Sequence, residues 1–191
     1  MGLMIHSLGE LPTTAERRYY VYLLDYGWDE PLGETLRRNF DRMAALASSN
    51  DAVVMQGVVG SHFADEVLSW HSINGQPGED ILPAILITTR HPQQFYAEQE
   101  KRSRSKRVSD RMVLIPLRKA CKSSTDVVHL IEKVFKDIKE KKQLTEFEVA
   151  RELSGGKHGA LVDALILEPN IGGIGLNVNY ILNFLLGRKR E

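Results

Sequence analysis

The chain holds one cysteine among 191 residues, no formal net charge and only 7% aromatic side chains. Cys121 alone closes no internal disulfide and supplies too few thiolates for a multi-cysteine metal site, so nothing calls for an oxidising compartment. Lys+Arg 25 balance Asp+Glu 25, which argues against a surface coated in positive charge for nucleic acid, although clustering counts for more than the sum. No apolar run reaches the ~18 residues of a membrane span. Met1-Gly2-Leu3-Met4-Ile5-His6 lacks the basic start and long apolar stretch of a secretory signal. The cytoplasm is the expected location. What the chain does have is a 42% hydrophobic fraction, ample for a continuous core at this length, and that excludes a disordered chain.

Residues 1–16 read as a turn-rich lead containing Pro12. From Arg18 to Asp25 the chain is dense in aromatic and aliphatic side chains without helical spacing, which predicts a buried strand. Gly27 and Pro31 bracket a loop. Leu36, Phe40, Met43, Ala44 and Ala47 then recur at helical spacing and predict one amphipathic helix ending near Ser48-Ser49-Asn50. Ala52 to Val59 completes a strand, helix, strand unit. A short helix over 61–72, with Phe63, Val67 and Trp70 on one side, gives way to Asn74-Gly75-Gln76-Pro77-Gly78.

Ile81 to Thr89 is the next strand, with Pro83 near its start, where a missing amide donor is tolerated. The polar segment 93–110 reads as an exposed insert, followed by a strand from Met112 to Leu117. A helix from Ser124 or Thr125 to Lys141 turns Val127, Val128, Ile131, Val134, Phe135 and Ile138 to one face, with Asp126 near its positive end and lysines at the other. Thr145 to Leu153 predicts a short helix with Thr145 and Glu148 at capping-box spacing, ended by Ser154-Gly155-Gly156. Leu161 to Leu167 suits a strand, and Val178 to Leu186 suits a strand or a helix equally.

The order strand, helix, strand, short helix, strand opened by proline, strand, helix resembles the thioredoxin-like fold over roughly residues 17–141. Ile81-Leu82-Pro83-Ala84-Ile85-Leu86-Ile87 is similar to the segment where that family places a cis proline before its third strand, so the resemblance implies a cis Leu82–Pro83 bond. It also implies an α/β, three-layer core over 17–142, interrupted by the basic insert 93–110 and carrying a small C-terminal α/β extension, 143–191, packed on it. Redox-active members hold a cysteine pair where the first strand hands over to the first helix, because a helix N-terminus lowers a thiol pKa. Here that loop is Tyr26-Gly27-Trp28-Asp29-Glu30-Pro31, without cysteine, so the fold implies no thiol exchange. A doubly wound parallel sheet with nucleotide at its strand ends is the rival topology.

The candidate chemistry is scattered. Asp25, Asp29 and Glu30 cluster at the carboxyl end of the first predicted strand, where acids can bind a metal or a ribose, or merely offset the following helix dipole. Trp28 adds a stacking surface or a half-buried lid. His62, Asp65, Glu66 and His71 fall close together, but HExxH is absent, and surface histidine and carboxylate neighbours are the simpler account. Ser61 and Ser69 lie in no GxSxG turn. Lys157 and His158, in Ser154-Gly155-Gly156-Lys157-His158-Gly159, could cradle an anion, yet the loop is not a Walker motif. Gly172-Gly173-Ile174-Gly175 misses the dinucleotide fingerprint. Lys101, Arg102, Arg104, Lys106 and Arg107 form a basic run interleaved with serine, suited to a phosphate backbone, an acidic partner or plain solvation. Arg188-Lys189-Arg190 follows the apolar Ile181, Leu182, Phe184, Leu185 and Leu186.

Every catalytic template thus fails at a required position. The expectation is a non-catalytic binding or assembly module that engages a protein partner through the Trp28 loop or the C-terminal apolar segment, with self-association open and no cofactor or metal. One alternative is an enzyme acting on a nucleotide or phosphorylated small molecule, with Asp25, Trp28, Glu30, Lys157 and His158 converging. The other is nucleic-acid binding through the 101–107 basic run.

Overall fold

The computed structural model describes residues 1–14, 16–71, 81–94, 112–154 and 166–167. Among these residues six strands form one sheet: β1 (Gly2–Ile5), β2 (Tyr19–Leu24), β3 (Ala52–Gly57), β4 (Ala84–Thr88), β5 (Met112–Pro116) and β6 (Ile166–Leu167), in the order β1-β3-β2-β4-β5-β6. β3 is parallel to both β1 and β2, while β4, β5 and β6 each run antiparallel to the strand before them in that order. The sheet is therefore mixed, which sets aside the doubly wound parallel alternative. The Leu82–Pro83 bond immediately before β4 is cis.

All six residues of β2 are buried, which a central strand covered on both faces requires. Its side chains alternate: Tyr19, Val21 and Leu23 enter one core, Tyr20, Tyr22 and Leu24 the other. The first core is closed by α1 (Pro31–Arg38), α2 (Phe40–Ser48) and the long helix α5 (Ser124–Lys139), with α4 (Leu117–Ala120) and α6 (Glu148–Ser154) at its margin. The second is closed by α3 (Phe63–Trp70) and by a 3-10 turn at Leu8–Glu10. Helices thus cover both faces of the sheet. No helix among the described residues is long and apolar enough to cross a membrane.

Four local readings change. Gly2–Ile5, inside the lead read as turns, is a strand of only four residues, too short for its periodicity to stand out. The single helix expected across Leu36 to Ala47 is two helices that meet at Asn39, whose backbone N–H reaches Thr35 O and Leu36 O, both at 3.2 Å, and whose Nδ2 also donates to Thr35 O at 2.8 Å. α5 starts where expected, but its N-cap is Ser123, in a capping box with Asp126. Near residue 145 the capping box is Gln143 with Glu146, closing a 3-10 turn at Leu144–Glu146. Phe147 (φ −58°, ψ 132°) then breaks the chain before α6 begins. The insert from 95 to 111 and nearly all of the extension beyond 154 lie outside the described residues.

Candidate functional site

Parallel strands β2 and β3 release the chain at the same end of the sheet, so the segments that follow them face one another there, the usual place for a crevice in an open α/β sheet. After β2 come Asp25, Tyr26 and Gly27, the last with φ +79° and its N–H donating to Asp25 Oδ1 at 3.1 Å. After β3 comes a turn in which Ser61 N donates to Val58 O at 3.0 Å, with Gly60 (φ +84°) at the position where a type II turn demands left-handed backbone. Between the two segments lies a cleft of about 50 Å³, floored by Leu23 and Gln56 and walled by Arg37 of α1 and Phe63 of α3.

Glycine makes the close approaches. A Cβ on Gly57 would fall 2.5 Å from Phe63 Cβ and 3.0 Å from Ser61 Oγ, so only glycine lets the turn fold back over the strand end. A Cβ on Gly33 would fall 2.9 Å from Asp25 Oδ2, which is why a helix interior carries glycine there.

The charges at this end of the sheet are compensated. Asp25 pairs with Arg37 beside the cleft. Glu30, the N-cap residue of α1, gives its carboxylate to Arg118 in a two-pronged pair at 2.8 and 2.7 Å that fastens α1 to α4. Asp29 is exposed. Among the described residues, Gln56 Oε1 and Ser61 Oγ are both shielded from solvent and have no hydrogen-bond partner, although both residues line the cleft. Val59, which lines the cleft, is 90% exposed, and Trp28 is 45% exposed with its indole 5.3 Å from the ring of Tyr26, another lining residue. Tyr26 Oη in turn donates to Asp65 Oδ1 at 2.5 Å, tying this loop to α3.

The histidine and carboxylate group is dispersed. Glu66 accepts from Ser7 Oγ at 2.7 Å and Leu8 N at 2.8 Å, capping the 3-10 turn of the lead. His62 stands at the N-cap of α3, with Nδ1 3.7 Å from Asp65 Oδ2. His71, read as a surface residue, is fully buried, because the end of α3 lies against Tyr22 of β2. Among the described residues no cluster of His, Cys, Asp and Glu suits a metal ion. Cys121 is 3% exposed, and burial pushes its thiol up to about 11, so thiolate is scarce near neutral pH.

Of the residues singled out from sequence, Asp25 lines the cleft, Trp28 stands at its edge, and Glu30 turns away to Arg118. Lys157, His158 and the run Lys101, Arg102, Arg104, Lys106 and Arg107 lie outside the described residues, as do 172–175 and 178–191. Sequence reasoning overlooked Arg37, Gln56 and Val59 as site residues. Arg37 resembles any solvated helical cation, but Gln56 did carry a signal, being the one polar residue in the run from Ala52 to Val59. A second, wider groove of about 530 Å³ runs between α5 and α6, where Lys133 spans to Glu152 at 2.6 Å and Glu148 at 3.7 Å. Its charges already answer one another. Comparison with family models, with curated proteins and with solved structures gave no match to this chain.

Proposed function

We propose that the chain is a redox-inactive, thioredoxin-like module that binds a protein partner at the carboxyl ends of β2 and β3. The thioredoxin-like part of this reading is supported by element order: β2, α1 and α2, β3, α3, β4, β5 and α5 follow one another as the resemblance requires. The redox-inactive part is supported by the buried Cys121, far in sequence from the loop where a reactive pair would sit. Binding without catalysis is supported by the pairing of Asp25 and Glu30 with arginines, which leaves neither carboxylate poised as a base.

One observation carries the protein-partner reading. Of the three large hydrophobic side chains exposed among the described residues, Val59 lines the cleft and Trp28 lies 5.3 Å, ring to ring, from Tyr26, which also lines it. Scattered exposed apolar residues need no explanation, but an aromatic and an aliphatic one beside a cleft make an anchor for a partner. The test is affinity purification of the full chain beside Trp28→Ser and Val59→Asp, with quantitative mass spectrometry. The expected result is a protein retained by the wild type and reduced about tenfold by either variant, while both variants melt at the wild-type temperature because both sites are exposed. Equal retention by all three chains would refute the reading.

A further inference from the structure

From the outer edge of β1 we infer that two copies of this chain join there, β1 to β1 and antiparallel, into a symmetric dimer with one continuous sheet. This surface is apart from the cleft and stands without the protein-partner reading. Among the described residues β1 is an edge strand. Its inner side is bonded to β3, where Val54 N donates to Met1 O at 2.8 Å and Val58 N to Ile5 O at 3.0 Å. Alternate residues of a strand turn their backbone groups to the same neighbour, so Met1, Leu3 and Ile5 face β3, while Gly2 and Met4 present N–H and C=O outward. Among the described residues nothing answers those outward groups, and Met4 is 55% exposed. An open edge of this kind is a template for another strand.

The side chains select a second copy as the occupant. A two-fold axis at Leu3 sets each Gly2 opposite the other copy's Met4, and every outward group then pairs, Gly2 N–H with Met4 O and Met4 N–H with Gly2 O. On one face Leu3 meets Leu3 and Met1 meets Ile5. All three side chains already pack on the second core, so that core continues across the axis. On the other face the long Met4 side chain lies over the other copy's Gly2, which has none, beside α2, where a Cβ on Gly2 would collide with Ala44. Charge permits the match as well. Met1 to Ile5 carry no charged side chain, and the Met1 ammonium is turned inward to Ala52 O at 3.0 Å. Across the chain Lys+Arg 25 equal Asp+Glu 25, so like meets like without net repulsion. The lysine, proline or inward charge that commonly guards an edge is missing from this strand. Two-fold pairing also consumes the edge and closes the assembly at two chains.

So short an edge falls below the ~1,200 Å² of a standard interface, which places the dimer in the weak class, with a dissociation constant of about 100 µM. Sedimentation equilibrium of the untagged full chain, from about 5 µM to about 1 mM, should show the mass rise from one chain toward two. Met4→Pro removes an outward N–H and none of the bonds to β3, and an edge strand tolerates proline on that side. Met4→Lys sets a charge on each side of the axis. Each variant should weaken association about tenfold or more while the amide spectrum of β2 to β5 stays that of the wild type, and Trp28→Ser and Val59→Asp should leave association unchanged. Should a Met4 variant unfold, the wild type alone decides, because its Met4 amide should exchange freely at about 5 µM and about fivefold more slowly at about 1 mM. A single-chain mass at every concentration would leave the edge to water or to a strand of another protein, and overturns the inference. A dimer that survives both Met4 variants, or one lost in Trp28→Ser or Val59→Asp, overturns it equally, since the contact then lies elsewhere.

Discussion

His71 reports on its own burial. It closes the C-terminal end of α3 with no exposed surface, its Nδ1 2.8 Å from Val67 O and its ring 5.0 Å from that of Tyr22, edge to face. Burial lowers its pKa to about 4, the charge of Arg90 acts in the same direction, and the Val67 carbonyl opposes both. An unfolded chain takes up this proton near 6.5 and the folded chain only near 4, so between those values the unfolded state binds more protons. Stability from the neutral ring is therefore full above about pH 6.5, falls as pH drops through the window, and is gone near 4. At ~1.4 kcal/mol per pH unit the window is worth about 3 kcal/mol. His71→Phe removes the titration while keeping an aromatic ring. Wild-type stability, measured by urea unfolding, should fall more steeply than that of His71→Phe from pH 6.5 to 4, and a difference independent of pH would refute the assignment. In the sequence His71 looked like a companion of His62, because only the docking of α3 onto β2 distinguishes them.

Between elements, one carboxylate carries a junction. Asp137, in the last turn of α5, is fully buried, yet its Oδ1 accepts from Lys142 Nζ at 2.6 Å and its Oδ2 from the backbone N–H of Glu148 at 2.5 Å, where α6 begins. It thus binds the end of one helix to the start of the next across the 3-10 turn at Leu144–Glu146. Asp137→Ala leaves a buried N–H unanswered and Lys142 with Glu140 alone, at 2.8 Å, and should cost about 2 kcal/mol. Asp137→Asn, which keeps one acceptor, should cost less. Hydrogen exchange should show the loss concentrated in the amides of α6, and an even loss over the sheet would count against this role. Sequence pattern hid the junction. Asp137 precedes the buried Ile138 among charged neighbours and reads as part of a solvated face. β2, β3, β4 and β5 were legible because continuous apolar runs of strand length carry their own signal. The break at Asn39 was not, since helical spacing continues across it.

Over the whole molecule, the sheet has a centre and an edge, and the candidate site hangs from the centre. β2 lies between β3 and β4 with every side chain buried, and the loop bearing Trp28 leaves directly from it. This half of the site was visible in the sequence, as a tryptophan among acids after a strand. The Val59 half was not, because Ala52 to Val59 reads as unbroken strand and only the close approach of Phe63 to Gly57 reveals the fold-back. Such an arrangement should give a graded opening. The amides of Val21, Tyr22 and Leu23 sit between cores on both faces, so they should exchange with solvent only through global unfolding. Among the described residues β1 pairs on one side alone, and its Met4 is 55% exposed, so its amides should exchange about a hundredfold faster, a gap of about 3 kcal/mol. The amides of Gly57 to Ser61, in the turn that follows β3, should fall between these limits. Equal exchange rates for the amides of β1 and β2 would refute this grading, because they would mean that the sheet opens only as a whole.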